Sequence, residues 1–390
     1  MNKLIKFMQS DTAGGVCLLS AAILGVIVAN SPFTNEYFGL LKLHLGPLEL
    51  LEWVNDALMA MFFLSVGLEI KKEMIYGELN SSAKRFLPVI GAFAGVITPA
   101  IIYYLIAGHD PAYVSGWGVP TATDIAFAIG VMTMLGNKVP PAMKAFLAAL
   151  AVIDDLIAIL VIAIFYGGGV SFSYLFFAAL VTCVLVYLNK QGYVRPIPYI
   201  VLGFVLWYCV LKSGIHATIA GVILAMTIPA VGVFEGKAVH PMTEWEHKLS
   251  KFVTFLIIPI FGFTNSGVYF GDFTMADFFH PVVFGVTLGL LLGKQFGIFT
   301  TVYVLVQSKA IKMPANTSWL QVYGTAVVCG IGFTMSLFVA ALAFEPGIVQ
   351  ERAKVGIFIG SIIAGTLGYS ILKIAYKIQQ HIHKVEQIEG

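Results

Sequence analysis

The chain has 390 residues, of which 58% are hydrophobic and only 11% are charged, and its mean hydropathy is +0.88. A composition this apolar excludes a water-soluble globular domain and is typical of a polytopic membrane protein. The formal net charge of +2 provides no broad basic surface, so we expect no nucleic-acid partner.

Apolar segments long enough to cross a hydrocarbon core of about 30 Å recur along the whole sequence. The polar stretches between them are too short for a soluble domain, so we expect one transmembrane domain over residues 1–390. The predicted fold class is all-α, with about 12 transmembrane helices in the lipid bilayer. In chain order they lie near residues 12–30, 53–76, 87–107, 121–135, 143–166, 172–189, 197–212, 215–229, 249–263, 281–306, 319–343 and 354–378.

Lysine and arginine are in excess in cytoplasmic loops, and this excess predicts the orientation of the chain. With a cytoplasmic N-terminus, most of the 23 basic residues fall on the cytoplasmic side of the predicted helices. An even number of crossings then places the C-terminus in the cytoplasm too. Lys294 fits neither side, because it lies in the middle of an apolar segment.

Two of the predicted helices are interrupted. The fourth (residues 120–136) is short and begins with Pro120 and polar residues, and the eleventh contains CGIGFTMS at residues 329–336. The two occupy matching places if segments 3–5 and 10–12 are inverted repeats. Paired interrupted helices of this kind point to the binding site of a transporter.

Three acidic residues and one lysine lie deepest in the apolar segments: Asp124, Asp154, Asp155 and Lys294. A charged side chain at mid-membrane costs about 2.5–3.5 kcal/mol even on insertion scales, so such residues are usually functional. A structural ion pair with Lys294 accounts for one carboxylate and leaves at least two. Burial disfavours the charged form of a carboxyl group, so these groups can hold or release a proton.

The same carboxylates suit a small hard cation, which prefers oxygen ligands, and the Thr123 hydroxyl offers another oxygen beside Asp124. Neighbouring residues on a helix point about 100° apart, so Asp154 and Asp155 have different surroundings. If protons and a cation compete for one site that faces each side in turn, exchange of one for the other follows.

Glycines recur every four residues around Lys294, at positions 285, 289, 293 and 297. This period places them on one helix face, which predicts close packing against another helix.

Six segments together closely resemble the NhaA family of bacterial sodium/proton antiporters. They are WVNDALMAMFFLSVGLEIKKE (53–73), PTATDIAFAIG (120–130), LAVIDDLIAIL (150–160), LKSGIHATIAGV (211–222), LLLGKQFGI (290–298) and CGIGFTMSLF (329–338). The resemblance implies an electrogenic, pH-regulated antiporter of the cell inner membrane that exports Na⁺ or Li⁺ in exchange for H⁺. It implies a transporter and not an enzyme, with no cofactor.

By this resemblance, Asp155 is the chief cation ligand, and Asp154 is either a second ligand or the partner of Lys294. Lys294 either carries a proton or stabilises the fold. Thr123 and Asp124 lie at the break of the fourth helix, where Asp124 offsets the positive ends of two half-helices.

The resemblance also implies a cytoplasmic pH sensor and a homodimer. The residues that match the sensor are Glu69, Lys72, Glu73, Glu246 and His247, although each also suits an ordinary solvated helix end. A histidine titrates near pH 6.5 and is a natural sensor. The segment near residues 31–50 resembles the region through which these antiporters dimerise.

Two other functions remain as alternatives. An intramembrane aspartyl protease also needs two membrane aspartates, here Asp124 with Asp154 or Asp155, but its Tyr-Asp and Gly-x-Gly-Asp motifs do not surround these residues. A carrier for an organic solute could use the same scaffold, although Lys294 alone at mid-depth argues against an anionic substrate.

Overall fold

The computed structural model describes residues 11–77, 79–234, 236–311, 313 and 317–389. The long elements are helices, joined by short turns and two small β-hairpins. The helices are α1 (Asp11–Ala29), α2 (Thr34–Leu41), α3 (Leu50–Ile75), α4 (Ser82–Ala107), α5 (Ile125–Met134), α6 (Pro141–Phe165), α7 (Phe172–Lys190), α8 (Pro196–Ser213), α9 (Ile219–Thr227), α10 (Pro241–Phe252), α11 (Ile258–Asn265), α12 (Pro281–Gln307), α13 (Trp319–Val328), α14 (Phe333–Ala343) and α15 (Ile348–Glu389). The hairpins pair β1 (His44–Leu45) with β2 (Leu48–Glu49), and β3 (Gly232–Phe234) with β4 (Lys237–Val239).

Each of the twelve predicted apolar segments corresponds to a helix or a pair of helices. Within the described residues, seven helices are long and apolar enough to cross a membrane, and two bent pairs raise this number to nine. The other three predicted segments contain the short helices α5 and α9 and the divided pair α10 and α11. The all-α membrane fold is therefore confirmed. The predicted cytoplasmic N-terminus rests on residues 1–10, which lie outside the described part.

The two predicted interruptions are confirmed. In the fourth segment a 3₁₀ turn (Val114–Thr121) gives way to an extended stretch before Asp124 starts α5. In the eleventh segment, residues 329–332 separate α13 from α14, and the two helices bend by 43°. Proline and glycine explain both breaks, since neither residue supports a regular helix.

The described residues include three widened turns of π-helix. These turns are Trp53–Leu58 in α3, Val253–Ile257 between α10 and α11, and Gly289–Gly293 in α12. A π-turn accommodates an extra residue and often occurs at functional sites. The third turn ends immediately before Lys294.

The chain divides into two compact units. The first unit comprises Met1–Cys17, Ser82–Ala158 and Val268–Gly390, and it contains both interrupted helices. The second comprises Leu18–Ser81 and Ile159–Gly267, and its core is built around side chains such as Leu68, Leu206 and Ala225. The expected single domain over residues 1–390 stays a prediction.

Glycines on α12 bring this helix close to α4 and to the 3₁₀ turn. A Cβ atom added at Gly289 would lie 2.7 Å from Pro120 Cβ, and one added at Gly293 would lie 2.5 Å from Pro99 Cα. At Gly297 the added atom would collide with the carbonyl oxygen of Ala94 and lie 2.8 Å from Thr98 Oγ1. The predicted packing face is therefore present, and it holds the helix that carries Lys294.

An ion pair fastens the start of α15 to the turn before α12. Arg352 Nε and Nη2 donate to Asp277 Oδ1 at 3.0 and 2.6 Å, while the backbone N–H and the hydroxyl of Thr274 donate to Oδ2 at 2.8 and 2.7 Å. The hydrogen bonds from Thr274, and then the Arg352 guanidinium, hold the pKa of Asp277 well below its usual range.

We expect Gly297→Ala to destabilise the protein by about 1–3 kcal/mol, because the added methyl group meets backbone atoms that cannot move aside. Thermal denaturation of the purified protein in detergent measures the effect. Gly130→Ala is the control, since a Cβ at this buried glycine of α5 has no atom within 4 Å. Equal denaturation temperatures for the two variants would contradict the packing role of Gly297.

Asp277 should stabilise the protein at neutral pH in its ionised form. Because its pKa is lower in the folded state, this contribution is complete above the ordinary carboxyl value of about 4 and is lost as the pH falls through the lowered folded value. We expect Asp277→Asn to lower the denaturation temperature by a constant amount between about pH 7 and 5, and by less below about pH 4. The control is Asp110→Asn, at an exposed turn, and a pH-independent difference for Asp277→Asn would contradict the assignment.

Candidate functional site

The two interrupted helices cross at their breaks. Asp124 N donates to the carbonyl oxygen of Ile331 at 2.7 Å, and Thr123 Oγ1 donates to the carbonyl oxygen of Cys329 at 2.9 Å. The helix breaks leave these backbone groups without helical partners, so each interrupted segment satisfies polar groups of the other. The crossing is buried, with Thr123 0% exposed.

Asp124 joins the starts of two half-helices. Its Oδ1 accepts from Phe127 N at 2.9 Å and caps α5, while its Oδ2 accepts from Thr334 N at 3.1 Å and from Thr334 Oγ1 at 2.5 Å in α14. Helix N-termini carry partial positive charge, and an anionic carboxylate between two of them is favourably placed. The Asp124 carboxylate thus accepts hydrogen bonds from the starts of two half-helices, the position that the family resemblance implied for it.

Ser361 of α15 completes the start of α14. Its Oγ accepts from Gly332 N at 3.3 Å and from Phe333 N at 3.2 Å. Thr334 and Ser361 were missed by the sequence analysis. Thr334 follows the glycines of the break and had a local signal, whereas Ser361 is one serine in an apolar helix and had none.

Asp154 and Lys294 form a buried ion pair. Lys294 Nζ donates to Oδ1 and to Oδ2 of Asp154, both at 2.8 Å, and the two side chains are 0% and 1% exposed. Thr123, whose hydroxyl donates to the Cys329 carbonyl, lies close to the Asp154 carboxylate. Of the two roles that the sequence left open for Asp154, the geometry is that of a partner of Lys294.

Asp155 follows Asp154 on α6 and is 2% exposed. The first unit therefore contains three buried carboxylates, Asp124, Asp154 and Asp155, together with Lys294. Three carboxyl groups stand against one lysine, so their full ionisation would leave a net negative charge among these buried residues. Such a site attracts a cation or a proton.

A permanently bound metal ion would need several ligand side chains that converge on one point. Among the residues that the structure describes, no three histidine, cysteine, aspartate or glutamate side chains converge as metal ligands. The oxygen donors at the crossing are carboxylates, a hydroxyl and backbone carbonyls, which suit a hard cation as a transported substrate.

The proposed pH-sensing residues lie in the second unit, on α3 and α10. Lys72 Nζ and Glu246 Oε2 form an ion pair of 3.1 Å. Glu69 is close enough to interact electrostatically with Glu246, Glu73 and Lys72, so the structure brings these four residues together. His247 lies on the exposed side of α10.

His216 lies near the carboxylate of Asp56, also in the second unit. Its Nδ1 lies 3.8 Å from Asp56 Oδ1 and 3.3 Å from Thr218 Oγ1. Asp56 lies within the π-turn of α3. Its carbonyl oxygen accepts a hydrogen bond from Trp207 Nε1 at 3.2 Å. The local contacts are those of a hydrogen-bonded, largely buried histidine.

The chain is similar to known proteins over nearly its whole length. It is 46% identical over 374 residues to "Na(+)/H(+) antiporter NhaA 1" of Brucella anthropi, with 95% of each chain covered. It is 47% identical over 374 residues to "Na(+)/H(+) antiporter NhaA" of Mesorhizobium japonicum, with 95% and 94% covered, and 46% identical to that of Caulobacter vibrioides, with 96% and 91% covered.

A solved structure supports the fold. The sodium proton antiporter MjNhaP1 of Methanocaldococcus jannaschii aligns with a TM-score of 0.55 and 12% identity, over 95% of this chain and 98% of the other. Residues 5–372 match the family described as Na⁺/H⁺ antiporter 1. Because this match and the identities above extend over almost the whole sequence, the chain belongs to the Na⁺/H⁺ antiporter 1 family.

Proposed function

We propose that the chain is an electrogenic antiporter that exports Na⁺, and also Li⁺, in exchange for protons. The observation that carries this proposal is the excess of buried carboxylates where the two interrupted helices cross. Asp155 is the chief cation ligand, Asp154 the second ligand, and Thr123 a neutral oxygen donor beside them. The names of the curated relatives agree with the exchange of sodium for protons.

Competition for one site provides the coupling. A carboxylate at this depth is unfavourable when it is charged and unoccupied, so it holds either a proton or a cation. If the site is occupied by a cation when it opens to one side and by protons when it opens to the other, each transport cycle exchanges a cation for protons. No separate coupling device is needed, and the chain acts as a transporter without a cofactor.

The ion pair between Asp154 and Lys294 sets the charge of the empty and loaded states. When a cation occupies Asp154 and Asp155, Lys294 loses part of its counter-charge, which favours release of its proton. When the cation leaves, the ion pair forms again. More protons than cations then move in each cycle, so exchange responds to the membrane potential.

The regulation proposed here is located in the second unit. The group formed by Glu69, Lys72, Glu73 and Glu246, with His247 nearby on α10, brings acidic and basic side chains together, which supports a role in pH regulation. The excess of basic residues on one side supports an inner-membrane location with both termini in the cytoplasm. The exposed hairpin of β1 and β2 lies in the segment that resembles a dimerisation region, which supports a homodimer.

The alternative functions fit the geometry less well. An aspartyl protease needs two carboxylates that activate a water between them. Here both oxygens of Asp124 accept hydrogen bonds from helix starts, and both oxygens of Asp154 face Lys294. A carrier for an organic solute would need a larger cavity at the crossing than the direct hydrogen bonds between the two breaks leave.

We expect Asp155→Asn to abolish cation-driven proton release, because the amide cannot supply the negative charge that both ions need. In everted membrane vesicles with a pH gradient, Na⁺ or Li⁺ should collapse the gradient with the wild type. With the variant, the rate should fall by more than about tenfold. Asp110→Asn, at an exposed turn, is the matched control. Full exchange by Asp155→Asn would contradict the proposal.

The role of Lys294 can be separated from that of Asp154 by pairing their variants. Lys294→Gln leaves a buried carboxylate without its cationic partner and should lower stability by about 3–5 kcal/mol. Adding Asp154→Asn makes the pair neutral and should restore most of the stability but not the exchange. Thermal denaturation and the vesicle assay measure the two properties.

The control for this pair is Lys248→Gln, which removes an exposed lysine that pairs with Glu244 and should leave both properties unchanged. If the double variant is as unstable as Lys294→Gln alone, the broken ion pair is not the reason why Lys294→Gln loses stability. If it exchanges ions normally, neither side chain takes part in transport.

A further inference from the structure

A buried hydroxyl near the crossing has no hydrogen-bond partner among the described residues. Ser336, in the first half of α14, is 0% exposed, and its Oγ contacts no donor or acceptor there. Buried polar side-chain atoms nearly always have a partner, and those without one often mark the place of a bound water or ion. The Ser336 hydroxyl therefore has free capacity to bind an occupant.

The hydroxyl lies beside Gly332, whose own surroundings include the extended stretch of the other interrupted segment. Ser336 and Gly332 are four residues apart and share one face of the chain. A Cβ atom added at Gly332 would collide with Ser336 Oγ, and it would lie 2.7 Å from Leu290 Cδ2 and 3.1 Å from the carbonyl oxygen of Ala122. The absence of a side chain at Gly332 thus brings two neutral oxygens, Ser336 Oγ and Ala122 O, to the same small space.

Sequence neighbours connect this space to the charged residues. Ala122 precedes Thr123, which lies close to Asp154 and donates to the Cys329 carbonyl. Two residues before Ser336, Thr334 holds Asp124 from the opposite face of α14.

The positive start of α14 does not repel a cation here as strongly as a free helix end would. The N–H groups of Gly332 and Phe333 donate to Ser361, and that of Thr334 donates to Asp124. These groups are therefore already paired, and the Asp124 carboxylate places a negative charge at this helix end.

We propose that the Ser336 hydroxyl, with the Ala122 carbonyl, is a neutral oxygen ligand of the transported cation. This inference rests on the proposed competition at Asp154 and Asp155. Carboxylates bind protons and cations alike, whereas a hydroxyl coordinates a cation but takes up no proton near neutral pH. Ser336 therefore favours the cation over the proton, and because it adds to the ligand number it distinguishes ions of different size.

The test compares the apparent KM for Na⁺ and for Li⁺ in everted vesicles. Ser336→Ala should raise the KM for Na⁺ by about fivefold with the maximal rate retained. The KM for Li⁺ should rise less, because the smaller ion is coordinated by fewer oxygens. Ser336→Thr keeps the hydroxyl and should stay within about twofold of the wild type.

The matched control is Ser266→Ala. Ser266 is also 0% exposed with an Oγ that has no partner among the described residues, but it belongs to the second unit. Its removal should leave both KM values unchanged. Thermal denaturation checks that the variants fold, and Na⁺ binding to the purified protein by calorimetry replaces the vesicle assay if Ser336→Ala inserts poorly.

Two results would overturn the inference. One is an unchanged KM for both ions in Ser336→Ala, and the other is an equal rise for both, which a packing or water-holding role would produce. Asp155→Asn in the same assay separates this failure from that of the proposed function. Exchange lost in Asp155→Asn but unaltered in Ser336→Ala overturns only the role of Ser336, whereas exchange retained in Asp155→Asn overturns the proposed function itself.

Discussion

Two helices broken inside a membrane expose backbone N–H and C=O groups that hydrocarbon cannot satisfy, and the rest of the site depends on how these groups are paired. The breaks pair partly with each other, through Asp124 N and the Ile331 carbonyl. The starts of α5 and α14 need an acceptor, and the Asp124 carboxylate supplies it to both. The backbone of the breaks therefore requires a side-chain acceptor between the two helix starts, and their partial positive charge favours the ionised form of Asp124 there.

That requirement separates the roles of the acidic residues. Asp124 is held by helix starts, and Asp154 is held by Lys294, whose helix approaches α4 closely because glycines line the contact. The net charge of the site then depends on whether its carboxylates bind a proton or a cation. Because the residues at the crossing are buried, an unpaired charge there is unfavourable, so occupancy and charge are tightly coupled.

Much of this arrangement could be predicted from the sequence, because helix breaks and buried charges leave local signals. Pro120 and the glycines of residues 329–336 marked the interruptions, and the acidic residues stood out against apolar neighbours. The sequence could not decide whether Asp154 or Asp155 meets Lys294, since that choice depends on the rotation of α6 relative to α12. Ser361 gave no signal for the same reason, because its role arises only when α15 packs against the start of α14.

The π-turn of Gly289–Gly293 determines where Lys294 points. Each residue of an α-helix rotates the chain by about 100° around the helix axis, and a π-turn contains one residue more than a regular turn. Losing one residue from this turn would restore a regular helix but would swing the ammonium group by roughly a quarter of a circle, away from its carboxylate. The spacing between the glycine face and the lysine is therefore as important for the buried ion pair as the lysine itself.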